Sequence, residues 1–289
     1  MIMHGGGSRV WAAAGVASAS YPNQPGDFTA IVGRNFNTKA ADNNDRGTGL
    51  LPWKTTGSEG WDGSEYNQSL ATIVADITDP VAGGGGAKGS VARVTYDGIT
   101  SNNSPAVVQT LSFSGGNYDL DDPTRLYVLM TLRLGSTYQV GGVTNKMFFH
   151  GIGAAANCHY VRLANNGDAN GPFTLQVNFQ GTPDNAANDR GGTNGTWTAS
   201  GGSSQGVQRG VFYTIETLSI RNSGVGVQDG IFRLWLDGVL VLERLDVEFV
   251  SDMSKYFSYL HISPTCGSCS DLTQPFSFDL GMIYVSGRA

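Results

Sequence analysis

The sequence D-G-I-F-R-L-W-L-D-G-V-L-V-L occupies residues 229–242 and carries the plainest structural pattern of the chain. Side chains of an extended segment point alternately to opposite faces, so one face receives the apolar set Phe232, Leu234 and Leu236. Asp237-Gly238 follows, a dipeptide that readily takes the positive φ angles of a two-residue hairpin turn. Residues 239–242 supply an apolar returning strand. The stretch predicts a β-hairpin with one face turned to a core.

Other segments repeat the strand pattern on both sides of this hairpin. No window shows the spacing of an amphipathic helix, so strands without crossover helices predict antiparallel pairing in two packed sheets, a jelly-roll sandwich. Residues 126–134 fit a central strand, and residues 182–208, rich in Gly, Asn, Ser and Thr, predict a long surface loop. The predicted strands are residues 70–76, 90–96, 106–113, 126–134, 146–150, 158–163, 173–180, 212–221, 256–262 and 276–285.

Composition agrees with an all-β protein and excludes two classes of partner. The chain has 289 residues with 41 glycines and only 15% charged residues, which is typical of many turns and few solvated helices. A net charge of −6 without any basic run argues against a nucleic-acid partner. No apolar run approaches the roughly 20 residues of a membrane-spanning helix.

The chain divides into an irregular N-terminal arm, residues 1–65, and a β-sandwich domain, residues 66–289. The arm is expected to pack on its own domain or on a neighbouring subunit. Residues 1–19 also resemble a weak signal peptide, an alternative reading of the start of the chain. Cys158, Cys266 and Cys269 do not complete a zinc site, and the C-x-x-C spacing of the last two predicts a loop pinned by a local disulfide.

Several motifs resemble a known family of domains. Tyr213 and Glu216 on one strand, the motif G-x-F-R-x-W-x-D-G of residues 230–238 and the terminal I-Y-V-S-G-R of residues 283–288 are similar to the C-terminal half of concanavalin A-like lectin/glucanase domains. Members from bacterial and phage sequences are the most similar. The resemblance implies a sandwich with a glycan groove on the concave face of one sheet, and calcium as the cofactor to test for. No EF-hand type loop occurs here, so the residues themselves predict no metal site.

The family includes lectins, glucan hydrolases and polysaccharide lyases. The E-x-D-x-E strand of the hydrolases is absent, because Glu216 has no acid two or four residues later, and hydrolysis needs two carboxyl groups. Residues 148–151, F-F-H-G, distantly resemble a strand of the alginate lyases. For a lyase, His150 would be the base, Tyr160 the acid, and Arg162 or Arg133 would hold the uronate carboxylate. The alternative for His150 is a capped or solvated residue at a strand end.

Binding without catalysis needs only planar polar groups and aromatic platforms, since sugar hydroxyls pair with amides and sugar C–H faces stack on rings. An alternative for Trp235 is that it covers the outside of the second sheet. The side chains predicted to bind glycan are Arg133, Tyr160, Gln176, Asn178 and Trp235.

Three functions follow as hypotheses. The first is a non-catalytic carbohydrate-binding or adhesive module, extracellular or on a virion surface, whose partner is a polysaccharide or surface glycan. The second is a capsid- or fibre-decorating protein without a glycan ligand, assembled as an oligomer through residues 1–65. The third is a polysaccharide lyase or glycoside hydrolase. The missing carboxylate pair favours a non-enzyme, and a lyase is the preferred reaction if the protein is an enzyme.

Overall fold

A computed structural model describes residues 49–51, 71–75, 90–96, 109–112, 123–140, 144–153, 158–165, 171–180, 182–183, 196–198, 206–267 and 275–286. These residues form fourteen strands and no α-helix. The strands are β1 (Gly49–Leu51), β2 (Ala71–Ala75), β3 (Ser90–Tyr96), β4 (Gln109–Ser112), β5 (Arg125–Leu134), β6 (Thr144–Ile152), β7 (Cys158–Asn165), β8 (Phe173–Asn178), β9 (Thr196–Thr198), β10 (Phe212–Ile220), β11 (Gly230–Leu236), β12 (Val239–Val247), β13 (Phe257–Gly267) and β14 (Phe276–Ser286).

The strands form two antiparallel sheets. An eight-stranded sheet runs β12-β11-β10-β5-β14-β3-β2, with β1 also paired to β14. A six-stranded sheet runs β4-β13-β6-β7-β8-β9. Half of the described strand pairs join strands that are not consecutive in the chain, as in β5, which lies between β10 and β14. The prediction of an all-β, two-sheet antiparallel sandwich is confirmed.

Apolar side chains from the inner faces of both sheets fill the space between them. From β8, the inner residues are Phe173, Leu175 and Val177, followed by Phe179, and all are at most 3% exposed. From β5, the inner residues are Leu126, Val128, Met130, Leu132 and Leu134, also buried in the core. Burying each large apolar side chain contributes about 1.5–3 kcal/mol, so these two strands are major sources of stability. Both predicted alternations are confirmed.

The central position of β5 is visible on its other face too. Tyr127 and Leu129 point away from the core and are nonetheless buried. On the same side, the carboxylate of Asp279 accepts hydrogen bonds from two guanidinium groups, Arg93 Nε at 2.7 Å and Arg133 Nε at 3.0 Å. This ion cluster ties β3, β14 and β5 together across the outer side of the eight-stranded sheet.

The predicted hairpin is confirmed in register and in turn type. Leu236 pairs with Val239, and Asp237 and Gly238 between them both have positive φ, 46° and 58°. Such a pair of angles matches the right-handed twist of the two strands. The turn is further fixed because Asp237 Oδ1 accepts a hydrogen bond from the Thr214 backbone N–H at 2.7 Å.

One feature of the sequence prediction needs correction, and two others lie largely outside the described residues. Residues 182–208 are not wholly a loop: β9 pairs with β8, and Val207 is buried and forms a bridge to Phe173. Of the arm at residues 1–65, the structure describes only β1, and Cys269 lies outside the described residues, so the arm and the local disulfide stay predictions. No helix in the described residues is long and apolar enough to cross a membrane.

Candidate functional site

The outer face of the six-stranded sheet carries the polar and aromatic side chains from which a site can be built. In β6, a bulge at Met147 changes which residues face outward: Lys146 pairs with Arg162, whereas Phe148 pairs with Val161. A bulge inserts one extra residue and so reverses the alternation beyond it. Phe149, rather than its neighbours, therefore shares the outer face with Lys146.

Three of these outward side chains form one stacked group. The ammonium of Lys146 lies 4.6 Å from the centroid of the Tyr160 ring and 5.5 Å from that of Phe149. The two rings are 5.1 Å apart and tilted by 48°. The contact of a cation with an aromatic face is worth roughly 0.5–1 kcal/mol at an exposed site, so it positions Lys146 over the rings.

A chain of hydrogen bonds continues the face across β7, β8 and β9. Arg162 Nε donates to Gln176 Oε1 at 2.9 Å, and Gln176 Nε2 donates to Thr198 Oγ1 at 3.1 Å. Asn178 pairs with Tyr160 in the β7–β8 register, so its amide lies on the same face. Burial lowers the pKa of Arg162 from its ordinary value, while the nearby Tyr160 acts in the opposite direction. Arg162 remains cationic at neutral pH, because a guanidinium keeps its proton in proteins.

The β13 side of the face holds His261, a residue that the sequence analysis did not select. Tyr259 and His261 lie two positions apart on β13, with ring centroids 4.1 Å apart. They pair with Gly151 and Phe149 of β6, respectively. A Cβ atom at Gly151 would come within 1.8 Å of Cζ of Tyr259. The absence of a side chain at this position therefore lets the Tyr259 ring lie against the sheet. The alternation in F-S-Y-L-H-I-S was the available signal for placing this histidine.

The charge of this face has one sign. None of the six described strands of this sheet contains Asp or Glu, although the whole chain has a net charge of −6. Lys146 and Arg162 contribute positive charge, and His261 adds an imidazole, a side chain that can carry a proton. These three side chains are half-buried, which weakens the screening of their charge by water and salt. The arrangement is suited to bind an anion that also presents hydroxyl groups and an apolar ring face.

His150 lies elsewhere than a groove base would require. Because of the bulge at Met147, its ring points into the core and is 0% exposed. Its neighbour across the strands is His159, also 0% exposed. Burial lowers the pKa of His150 to about 3. The expectation of a base at His150 on the outer face is therefore corrected, since a fully buried imidazole cannot reach a polysaccharide.

Two members of the predicted glycan-binding set lie on the eight-stranded sheet instead. Arg133 belongs to β5, where it contacts Asp279 and lies 4.5 Å from the Phe212 ring centroid. Trp235 belongs to β11 and points away from the core opposite Glu216. The outer faces of the two sheets are on opposite sides of the sandwich. The structure brings together Tyr160, Arg162, Gln176 and Asn178, and separates Arg133 and Trp235 from them.

Glu216 has no acidic cross-strand neighbour, and no metal cluster is found in the described part of the chain. Glu216 is buried on β10 and accepts a hydrogen bond from Tyr127 Oη at 2.9 Å. Its neighbours across the strands are Leu129 and Trp235, which are not acids. Among the residues that the structure describes, no group of three or more His, Cys, Asp or Glu side chains could hold a metal ion.

Comparison with known proteins gives matches in structure alone. No protein-family model matches the chain, and no curated protein does. The structure of alginate lyase Aly36B is 14% identical to this chain and gives a TM-score of 0.53. The match covers 84% of this chain and 97% of the lyase chain. A double alanine mutant of that lyase, in complex with an alginate tetrasaccharide, is 15% identical over the same shares and gives 0.52. An endo-β-1,4-glucuronan lyase from the fungus Trichoderma reesei is 14% identical, with coverage of 80% and 93% and a TM-score of 0.49. At such identities the likeness concerns the fold, and the chain has a concanavalin A-like sandwich fold.

Proposed function

We propose that the outer face of the six-stranded sheet binds an acidic polysaccharide. The observation that carries the proposal is the combination of Lys146, Arg162 and His261 with aromatic rings, on a sheet whose strands hold no carboxylate. Uronate or sulfate groups would pair with the cations, because a guanidinium binds a planar carboxylate through two parallel hydrogen bonds. The amides of Gln176 and Asn178 would bind sugar hydroxyls.

Two rings supply the apolar part of the proposed site. Sugars present C–H faces that pack on aromatic rings, and the rings of Tyr160 and Tyr259, which are 6% and 9% exposed, lie at two places along the face. The strand order places β7 and β13 on either side of β6. Tyr160 pairs with Phe149 and Tyr259 with Gly151, so the two residues are offset by two positions along β6, and the Tyr259 ring leans over Gly151. A chain of sugars crossing the strands would contact both.

Cleavage of the same ligand is the second candidate function. The pairing of His261 with Tyr259, 4.1 Å between ring centroids, favours it, because β-elimination needs a base for the proton next to the uronate carboxylate and an acid for the leaving oxygen. His261 would be the base and Tyr259 the acid, with Arg162 holding the carboxylate. Solved structures of the same fold include an alginate lyase with a bound tetrasaccharide.

Binding and cleavage are separated by one set of measurements. Calorimetric titration with polyuronates and with neutral glucans of equal length is expected to show binding of the acidic polymers alone, weakening as salt increases. Ultraviolet absorbance of the products detects the unsaturated ends that a lyase creates. Activity that is lost in His261→Gln while binding persists would establish the lyase. Equal affinity for neutral and acidic polymers would contradict the proposal of an acidic ligand.

A further inference from the structure

Two imidazole rings lie in contact between the two sheets. His150 on β6 and His159 on β7 are direct cross-strand partners, and both are fully buried. Nδ1 of His150 lies 2.8 Å from Nε2 of His159, a hydrogen-bond distance at which one nitrogen donates and the other accepts. A protonated imidazole has two donors and no acceptor. The contact therefore requires that at least one of the two rings is neutral.

The pair also connects the two sheets. Ser219 Oγ of β10, in the opposite sheet, lies 2.8 Å from His159 Nε2 and 3.4 Å from His150 Nδ1. Thr217 Oγ1 of the same strand lies 3.4 Å from His150 Nε2. These four polar side chains connect the two sheets through the interior. We call them the intersheet cluster: His150, His159, Thr217 and Ser219.

The elements packed around the cluster present uncharged groups to it. Four rings surround His159 with centroids 5.1–6.1 Å away, namely Phe179, Phe232, Phe249 and Phe257. From β10 come two hydroxyl groups, and from β13 the inward neighbour of His150 is Leu260. The carboxylates of Glu216 and Asp279 belong to the outer side of the eight-stranded sheet. Burial lowers the pKa of both histidines, to about 3 for His150, and the charge of His150 lowers that of His159 further.

The same two strands carry the proposed glycan face on their other side. Successive residues of a strand point to opposite faces, so the neighbours of His150 on β6 are Phe149 and Gly151, and the neighbour of His159 on β7 is Tyr160. A displacement of β6 and β7 that lets water reach the histidines would also move the rings of Phe149 and Tyr160. The interior contact and the outer face therefore share the same two strands.

We propose that the intersheet cluster is a proton-sensitive clasp that closes the sandwich at neutral pH and abolishes polysaccharide binding when the medium becomes acidic. This inference rests on the proposed function and adds its regulation. In the unfolded chain a histidine has a pKa of about 6.5, above its value in the folded protein. The neutral pair therefore contributes its full stabilisation above pH 6.5, and the contribution falls as pH decreases from 6.5 toward 3.

The effect has a defined size. Each histidine that takes up a proton on unfolding raises the unfolding equilibrium constant by up to tenfold for each pH unit below about 6. Two such histidines raise it by up to 100-fold per unit. The full chain holds four histidines, so the contribution of this pair can be isolated by substitution.

The test measures urea unfolding of the full chain between pH 7.5 and 5.0. The wild-type unfolding constant is expected to rise up to 100-fold for each unit by which the pH falls. The constant of His159→Phe, whose new ring can stack on Phe179, is expected to rise no more than tenfold per unit. The slope does not depend on the absolute stability of a variant, so a weakened variant still decides. Ser219→Ala keeps both histidines and is expected to keep the wild-type slope. Equal slopes for wild type and His159→Phe would overturn the clasp.

A second measurement distinguishes failure of the clasp from failure of the proposed function. Polyuronate affinity is measured at each pH for the wild type and for His159→Phe. The wild type is expected to bind at pH 7.5 and to lose binding in step with unfolding at lower pH, whereas His159→Phe is expected to bind at pH 7.5 and to lose binding over a wider pH range. Absence of binding at pH 7.5 would refute the proposed function alone. A second outcome would refute the clasp alone. In that outcome the resonances of both buried histidines titrate near pH 6.5, and the protein still binds polyuronate below that pH.

Discussion

The ammonium group of Lys146 lies 4.6 Å from the centroid of the Tyr160 ring, across the β6–β7 strand pair. Lys146→Ala removes one cation from the face and leaves both aromatic rings in place. We expect the affinity for a polyuronate to fall about tenfold, which is about 1.4 kcal/mol. The free energy of unfolding should change little, because the side chain is partly exposed. Calorimetric titration and urea unfolding measure the two quantities. An unchanged affinity would remove Lys146 from the site.

Gly151 makes room for an aromatic ring on the neighbouring strand. In Gly151→Ala, the new Cβ would lie 1.8 Å from Tyr259 Cζ, so the ring must leave its position on the sheet. We expect weaker polysaccharide binding and a loss of about 1–3 kcal/mol of stability from overpacking. Gly224→Ala is the matched control, since its nearest contact is a flexible Val227 methyl at 3.0 Å. If both alanine variants bind equally well, Tyr259 is not a sugar platform.

Arg133 lies on the sheet that faces away from the proposed site. Removing it from the Asp279 cluster leaves a buried carboxylate with one cation fewer, and Asp279 is only 2% exposed. We expect Arg133→Ala to lower the free energy of unfolding by roughly 2 kcal/mol. This is less than for a wholly buried ion pair, because the partly exposed Arg93 still pairs with Asp279. Polysaccharide affinity at pH 7.5 should remain that of the wild type. A loss of affinity in a folded Arg133→Ala protein would contradict the assignment of the site to one sheet.

The hairpin turn gives a prediction about backbone conformation. Asp237 has a φ of 46°, a value that Asn accepts readily and a β-branched residue accepts poorly. Asp237→Val should destabilise the protein by about 1–2 kcal/mol, and it also removes the acceptor for the Thr214 N–H. Asp237→Asn should be nearly neutral, because its side-chain oxygen can still accept that hydrogen bond. Urea unfolding of both variants checks the expectation, and equal stabilities would contradict it.

The architecture could be predicted from the sequence because its long strands alternate cleanly. Residues 173–179 and 126–134 each direct every second side chain into the core, as their pattern indicates. Short or polar strands gave no such signal. Thr196–Thr198 pairs with the edge of a sheet through backbone hydrogen bonds, and three polar or aromatic residues within a Gly- and Asn-rich stretch do not reveal that pairing.

The candidate site could be predicted only in part, for two physical reasons. A residue type does not reveal which sheet a strand joins, so Arg133 and Trp235 could not be separated from Tyr160 by their sequence positions. A bulge is also invisible in a strand pattern. Strict alternation would place His150 on the same face as Lys146, and the extra residue at Met147 sends it to the interior instead. His261 thereby becomes the histidine that shares the outer face with Arg162.

The central claim is that one face of one sheet binds an acidic polysaccharide, and a paired charge removal tests it most directly. Arg162→Ala removes a cation from that face, and Arg233→Ala removes the same charge from the opposite sheet, where Arg233 pairs with Glu243. Calorimetric titration of both variants with one polyuronate at pH 7.5 compares them at equal net charge. The account predicts at least a tenfold loss of affinity for Arg162→Ala and wild-type affinity for Arg233→Ala. Equal affinities in the two variants would contradict it.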